Sequence, residues 1–142
     1  LKHRCQTVYS AGGVDYIDSS IDSTPSRTVK TLSSLERKVV LILGGRGKGL
    51  NYSELCDAIK KYAPTVVISG ENANDIYSAI KGQSTIEVLP SFESAVRRGI
   101  ELAEGVGALL LSPASTSYDS FKSYAERGDR FRDIIFTYYK ST

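Results

Sequence analysis

The sequence predicts an α/β protein in three layers, an open, mostly parallel sheet with helices on both faces. Three observations predict it. Short aliphatic and β-branched runs recur at residues 39–43, 66–68, 86–89 and 108–111, and runs of this kind read as strands buried on both faces. Between them apolar residues fall three and four apart: Leu55, Ile59 and Tyr62; Ala73, Ile76, Tyr77 and Ile80; Phe92, Ala95, Val96, Gly99 and Ala103. Each set marks an amphipathic helix laid on a sheet. Strand and helix alternate at the length of a βαβ unit, for which right-handed crossovers are the rule.

The ends follow a different pattern. Residues 6–9 and 14–17 flank Ala11-Gly12-Gly13 and predict a hairpin, or two short strands, at a sheet edge. Ser23-Thr24-Pro25 then supplies an N-cap hydroxyl and a first-turn proline for a helix carrying Val29, Leu32 and Leu35. The chain closes on a helix with Phe131, Ile134, Ile135 and Tyr138 along one face. No internal repeat, low-complexity tract or interdomain linker divides the 142 residues, so one domain is expected.

Composition narrows the function classes. The 41% apolar content supports a single core without disulfides or a metal. The 18 basic and 16 acidic residues alternate, with a net charge of +2 and no basic tract, which argues against a nucleic-acid partner. Cys5 and Cys56 stand far apart and His3 is the one histidine, so neither a disulfide framework nor a zinc site of the usual spacing is expected, and a cytoplasmic location fits. The longest apolar run, residues 39–43, is far short of the roughly 20 residues of a membrane helix. No charged-then-apolar leader opens the chain. Neither membrane insertion nor secretion is expected, and a monomer is. Because the chain opens at Leu1 and contains no methionine, it reads as part of a longer protein.

In open parallel sheets ligands gather at the carboxyl ends of strands, which singles out two loops. The first, Gly44-Gly45-Arg46-Gly47-Lys48-Gly49, offers a close backbone approach and a lysine for an anion. It is not a phosphate loop of the GxxxxGK[ST] type, since Ile42 falls where the first glycine belongs and Gly49 where the hydroxyl belongs, and it does not match GxGxxG. A glycine turn with a solvated lysine accounts for it equally well. The second loop places Ser112, Ser115, Thr116 and Ser117 ahead of a helix, where hydroxyls donate to a carboxylate or phosphate. N-capping uses one or two of them and leaves the rest unexplained. A serine nucleophile is not expected with His3 as the sole histidine. Asp18 and Asp22 invite a magnesium reading but fit helix-start caps better, and Arg127-Gly128-Asp129 reads as a helix boundary.

Residues 112–131, SPASTSYDSFKSYAERGDRF, resemble the signature SPA-x-x-S-x-D-x-F-x-x-[FY]-x-x-RG-x-x-F of the Mur ligases that add D-glutamate. Residues 43–48, LGGRGK, resemble the LGG-x-x-K loop of that family. His3-Arg4 resembles its His-Arg pair between the central and last domains, and residues 18–28 resemble its DS-x-x-T segment before a helix. The resemblance covers essentially the whole chain. It implies that residues 1–142 are the C-terminal, amino-acid-binding domain, of Rossmann-like fold, with the N-terminal and central ATP-binding domains absent from this chain.

The activity so implied is addition of D-glutamate to UDP-N-acetylmuramoyl-L-alanine in peptidoglycan precursor synthesis. ATP and magnesium activate the precursor's carboxylate, and the amine of D-glutamate attacks the acyl phosphate. The resemblance implies Lys48, Ser117, Tyr118 and Tyr124 as D-glutamate contacts, Lys48 as the cation and Ser117 as a donor. It implies Arg4 as a nucleotide contact. It places ATP and magnesium mainly in the missing central domain, leaving no catalytic residue or metal ligand here and an isolated domain that is inactive. Asp18-Ser19-Ser20-Ile21-Asp22-Ser23-Thr24 fits the family segment in two registers. With Pro25 fixing the helix start, Ser19 takes the aspartate's place and Ser23 the threonine's. Ser23 is then the expected hydroxyl ligand, with Asp18 standing in for the nucleotide contact. The alternatives are a Mur or folylpolyglutamate-type ligase domain for another amino acid, and a non-catalytic α/β module that captures small anions.

Overall fold

The computed structural model describes residues 1–47, 49–117 and 120–141. Lys48, Tyr118, Asp119 and Thr142 lie outside the described residues, and with them two of the expected D-glutamate contacts. In chain order come β1 (Gln6–Ala11), β2 (Val14–Asp18), α1 (Pro25–Leu35), β3 (Val40–Leu43), α2 (Ser53–Tyr62), β4 (Thr65–Ile68), α3 (Ala73–Ile80), β5 (Ile86–Val88), α4 (Phe92–Ala103), β6 (Ala108–Leu111) and α5 (Tyr124–Lys140). Among the described residues they build one sheet of order β1-β2-β6-β3-β4-β5. The edge strand β1 is antiparallel to β2, as the hairpin reading expects, and the other neighbours are parallel.

The strands alternate their side chains between two cores, as period-2 geometry requires. Leu41, Leu43, Val66 and Ile68 pack with Leu32 of α1, Leu55 and Ile59 of α2, and Ile76 and Ile80 of α3. Val40, Ile42, Val67 and Leu109 pack on the other side with Val96 and Ile100 of α4 and Phe131, Ile134 and Ile135 of α5. The expected α/β, Rossmann-like class with helices on both faces is therefore what the chain adopts. Topology explains the sorting. The steps from β2 to β3, β4 and β5 run one way across the sheet and lay α1, α2 and α3 on one face, whereas the return from β5 to β6 lays α4 on the other.

Local sequence sets the helix starts. Thr24 caps α1, its Oγ1 accepting from Arg27 N at 3.4 Å, with Pro25 opening the helix; the cap hydroxyl is thus that of Thr24 and not Ser23. Ser123 caps α5, accepting from Glu126 N at 3.1 Å. Since β2 through β6 are parallel, the loops that follow them share one edge of the sheet. The chain leaves β6 toward one face and its neighbours β2 and β3 toward the other, which makes that edge a topological switch point.

Candidate functional site at the carboxyl edge of the sheet

The glycine loop after β3 and the hydroxyl-rich loop after β6 meet there. Arg46 and Thr116 form an antiparallel bridge, with Arg46 N donating to Thr116 O at 2.9 Å and Thr116 N to Arg46 O at 3.0 Å. The approach is close enough to demand glycine. A Cβ on Gly44, whose φ is 111°, would lie 1.7 Å from the Ser69 carbonyl oxygen, and one on Gly45 would lie 2.4 Å from that of Thr116. Asn72, ahead of α3, pins both loops: its Oδ1 accepts from Gly45 N at 3.0 Å and its Nδ2 donates to Ser115 Oγ at 2.9 Å. Its side chain does not cap its own helix.

A second cluster forms where the amino-terminal segment, the loop after β2 and the start of α5 converge. His3 Nδ1 lies 2.7 Å from Asp18 Oδ2, and Ser20 N donates to Asp18 Oδ1 at 2.8 Å. The Tyr124 ring stands edge-on to His3, 6.0 Å between centroids. Gly128 lets α5 settle on this cluster, since a Cβ there would come within 2.4 Å of both Asp18 Oδ2 and His3 Nδ1. Asp22 Oδ2 accepts from the hydroxyls of Thr31 and Ser112 at 2.7 Å each, tying the loop after β2 to the loop after β6.

Arg127 joins the two clusters. It is 1% exposed and donates from Nη1 to Ser115 O at 3.0 Å and from Nη2 to Ser20 O at 2.9 Å. Arg127-Gly128-Asp129 is therefore not a helix boundary but lies within the first two turns of α5. Both Arg127 and Gly128 sit inside the RG of the resembled signature, which is the signal that could have marked them. Asn72 carried no comparable sign, because an asparagine before a helix reads as a cap.

The structure brings Ser117 to the paired loops, buried at 3% exposure, next to the Arg46–Thr116 bridge. Tyr124 opens α5, 40% exposed beside His3. Ser23 is half-buried at the start of α1, and Arg4 lines a cavity with Asp22, Arg27 and Lys30. Asp18 is buried, with its two oxygens engaged by His3 and Ser20, so it anchors the amino-terminal segment. Neither Asp18 nor Asp22 caps α1.

A triphosphate cradle needs backbone N–H groups that point at a ligand. Here Gly44 N donates to Pro113 O, Gly45 N to Asn72 Oδ1 and Arg46 N to Thr116 O. These donors are committed to the fold, so this turn of the glycine loop does not fit as a phosphate nest. Among the described residues no group of three or more His, Cys, Asp or Glu is placed to hold a metal ion.

Comparison with known proteins agrees with this geometry. Residues 3–115 match the family described as Mur ligase, glutamate ligase domain. Among curated relatives, the chain is 41% identical over 135 residues to the UDP-N-acetylmuramoylalanine--D-glutamate ligase of Desulfosudis oleivorans, covering 95% of this chain and 29% of the relative. The identity is 39% over 134 residues to the ligase of that name from Cupriavidus pinatubonensis (94% and 27%), and 34% over 137 residues to the one from Clostridioides difficile (95% and 30%). The chain thus spans less than a third of the length of these relatives. With the family match running through the glycine loop and into the start of the hydroxyl-rich loop, the chain belongs to the Mur ligase family as a glutamate ligase domain.

Proposed function

We propose that this chain supplies the D-glutamate site of an ATP-dependent ligase that adds D-glutamate to UDP-N-acetylmuramoyl-L-alanine for peptidoglycan synthesis in the cytoplasm, working as a monomer. The observation that carries the reading is the Arg46–Thr116 bridge. D-Glutamate is a small dianion with an ammonium group, so it requires a cation and several donors at one place. Lys48 follows the bridge by two positions on one strand end, and Ser117 follows it by one on the other. Tyr118, Tyr124 and Ser23 complete the proposed contacts, with Ser117 donating to a carboxylate and Lys48 neutralising one.

The chain's own work in this reading is to bind and orient the amino acid so that its amine meets an activated carboxylate, since positioning alone lowers such barriers by several kcal/mol. ATP and magnesium would supply that activation from a central domain outside this chain, with Arg4 and Asp18 at the nucleotide's margin, although the internal engagement of Asp18 leaves Arg4 the better placed. None of these residues is assigned a catalytic proton transfer. The purified chain should neither hydrolyse ATP nor form the amide.

The test is Lys48→Ala in the full-length ligase. Removing the cation from a half-buried carboxylate costs about 2–5 kcal/mol, so the KM for D-glutamate should rise at least about thirtyfold while that for ATP stays within about twofold. An unchanged D-glutamate dependence would remove Lys48 from the site and overturn the reading.

A further inference from the structure

The chain has nine arginines, and among the described residues seven have partners. Arg37, Arg46, Arg97, Arg98, Arg130 and Arg132 are ion-paired, and Arg127 is held by two carbonyls. The side chains of the other two, Arg4 and Arg27, make no hydrogen bond or ion pair among the described residues, and neither does that of Lys30. These three cations line one cavity of about 340 Å³, with Thr31, Ser34 and Asp22. The two arginines without a partner among the described residues thus share one cavity with a lysine, while the other arginines are matched.

Their position runs against local electrostatics. Arg27 is the third residue of α1, whose first turn has no acidic residue, so it faces the positive end of the helix dipole, where a cation raises the free energy of the free protein; Lys30, three residues on, adds a like charge on the same face. Asp22 offsets this in part. It is 5% exposed and already accepts from Thr31 and Ser112. Three cations and one carboxylate leave a local charge of +2 in the cavity.

We propose that Arg4, Arg27 and Lys30 form a binding site for a phosphate group. Its charge at neutral pH, about −1.5 to −2, matches the cavity, and two guanidinium forks suit its oxygens better than a single ammonium does. The proposal extends the nucleotide reading of Arg4 to two residues on α1 and does not depend on the D-glutamate loops. The phosphate can be that of a nucleotide or free in solution, and the experiment separates the two.

The chain is titrated at constant ionic strength with inorganic phosphate and then with ADP, with chloride as the comparator, following backbone amides and Tm. Phosphate should shift amides of Cys5 and residues 27–31 and raise Tm. Arg27→Gln/Lys30→Gln should weaken that response at least about tenfold, while Tm without ligand stays equal or rises because the adverse charges are gone. Arg4→Gln, in the exposed amino-terminal segment, is the second variant and should weaken binding in the same direction. A response to ADP but not to phosphate, lost in the variants, would assign the site to a nucleotide's phosphates. Shifts no larger than those from chloride, or equal affinity in the variants, would overturn the proposal. D-Glutamate responses are read separately at residues 44–47 and 115–117, so failure there leaves this site standing and its failure leaves theirs.

Discussion

Arg127 donates to the carbonyl of Ser115 at 3.0 Å from a position where 1% of it is exposed, and the same guanidinium holds Ser20 O. One buried fork thereby fixes the hydroxyl-rich loop relative to the loop that carries Ser23. Arg127→Met should strand two buried carbonyls, each costing about 1–3 kcal/mol. A loss of about 2–5 kcal/mol in urea unfolding is expected, with a smaller loss for Arg127→Lys, whose single ammonium keeps the charge without the fork.

Gly128→Ala tests the seating of α5. Alanine is ordinarily favoured over glycine inside a helix by about 0.5–1 kcal/mol, but here its Cβ would stand 2.4 Å from Asp18 Oδ2 and His3 Nδ1 and 2.5 Å from Ser20 Oγ. Overpacking costs about 1–3 kcal/mol and should win, lowering Tm and shifting the His3 ring resonances. Gly105→Ala is the control: nothing lies within 4 Å of its added Cβ, so no loss is expected and a gain of about 0.4–1 kcal/mol is the upper limit.

How far the sequence carried depended on whether a feature is local. Fully apolar strands such as Val40–Leu43 and helix faces such as Leu55 and Ile59 repeat at the periods of their elements, so the layers could be read directly. The two loops could be placed at strand ends for the same reason. That the two loops meet at one end of the sheet follows from that placement; the backbone bridge between Arg46 and Thr116 does not, because it depends on β6 inserting between β2 and β3, a matter of topology that no local period records. Asn72 and Arg127 were missed likewise: each acts on residues more than ten positions away. Asp18, expected to stand in for a nucleotide contact, also meets His3 and accepts from Ser20 N, a structural task that no local period records.

Alkaline pH should weaken the fold through Tyr16. Burial, first, and then the hydroxyl of Tyr139 push the Tyr16 phenol well above its ordinary value. The folded state therefore holds a proton that the unfolded state releases from about pH 10. Stability from this group is complete below that pH and falls as pH rises beyond it, by about 1.4 kcal/mol per unit for one phenol. Unfolding measured at pH 9 to 11 should show a shallower decline for Tyr16→Phe than for the wild-type chain. Parallel declines would mean that Tyr16 ionises equally in both states.

Asn72 offers the sharpest link between packing and the proposed site. Its amide is 3% exposed and uses both ends, accepting from Gly45 N and donating to Ser115 Oγ, so one side chain helps hold the two loops in register beside their backbone bridge. Asn72→Ala should leave the Gly45 N–H buried without its acceptor, a cost of about 1–3 kcal/mol. Asn72→Asp keeps the shape and the acceptor but puts a carboxylate where a donor stood, within reach of the Ser115 hydroxyl, which now donates to Pro113 O at 3.0 Å. That hydroxyl can turn to the carboxylate, so Asn72→Asp should recover part of the loop pairing but pay for burying a charge. In the full-length ligase both variants should raise the KM for D-glutamate more than the KM for ATP, with Asn72→Ala retaining the looser loops: faster amide exchange at Arg46 and Thr116, whose N–H groups close the bridge. If exchange at those two amides rises while the D-glutamate KM holds, the bridge is structural and the amino acid is bound elsewhere.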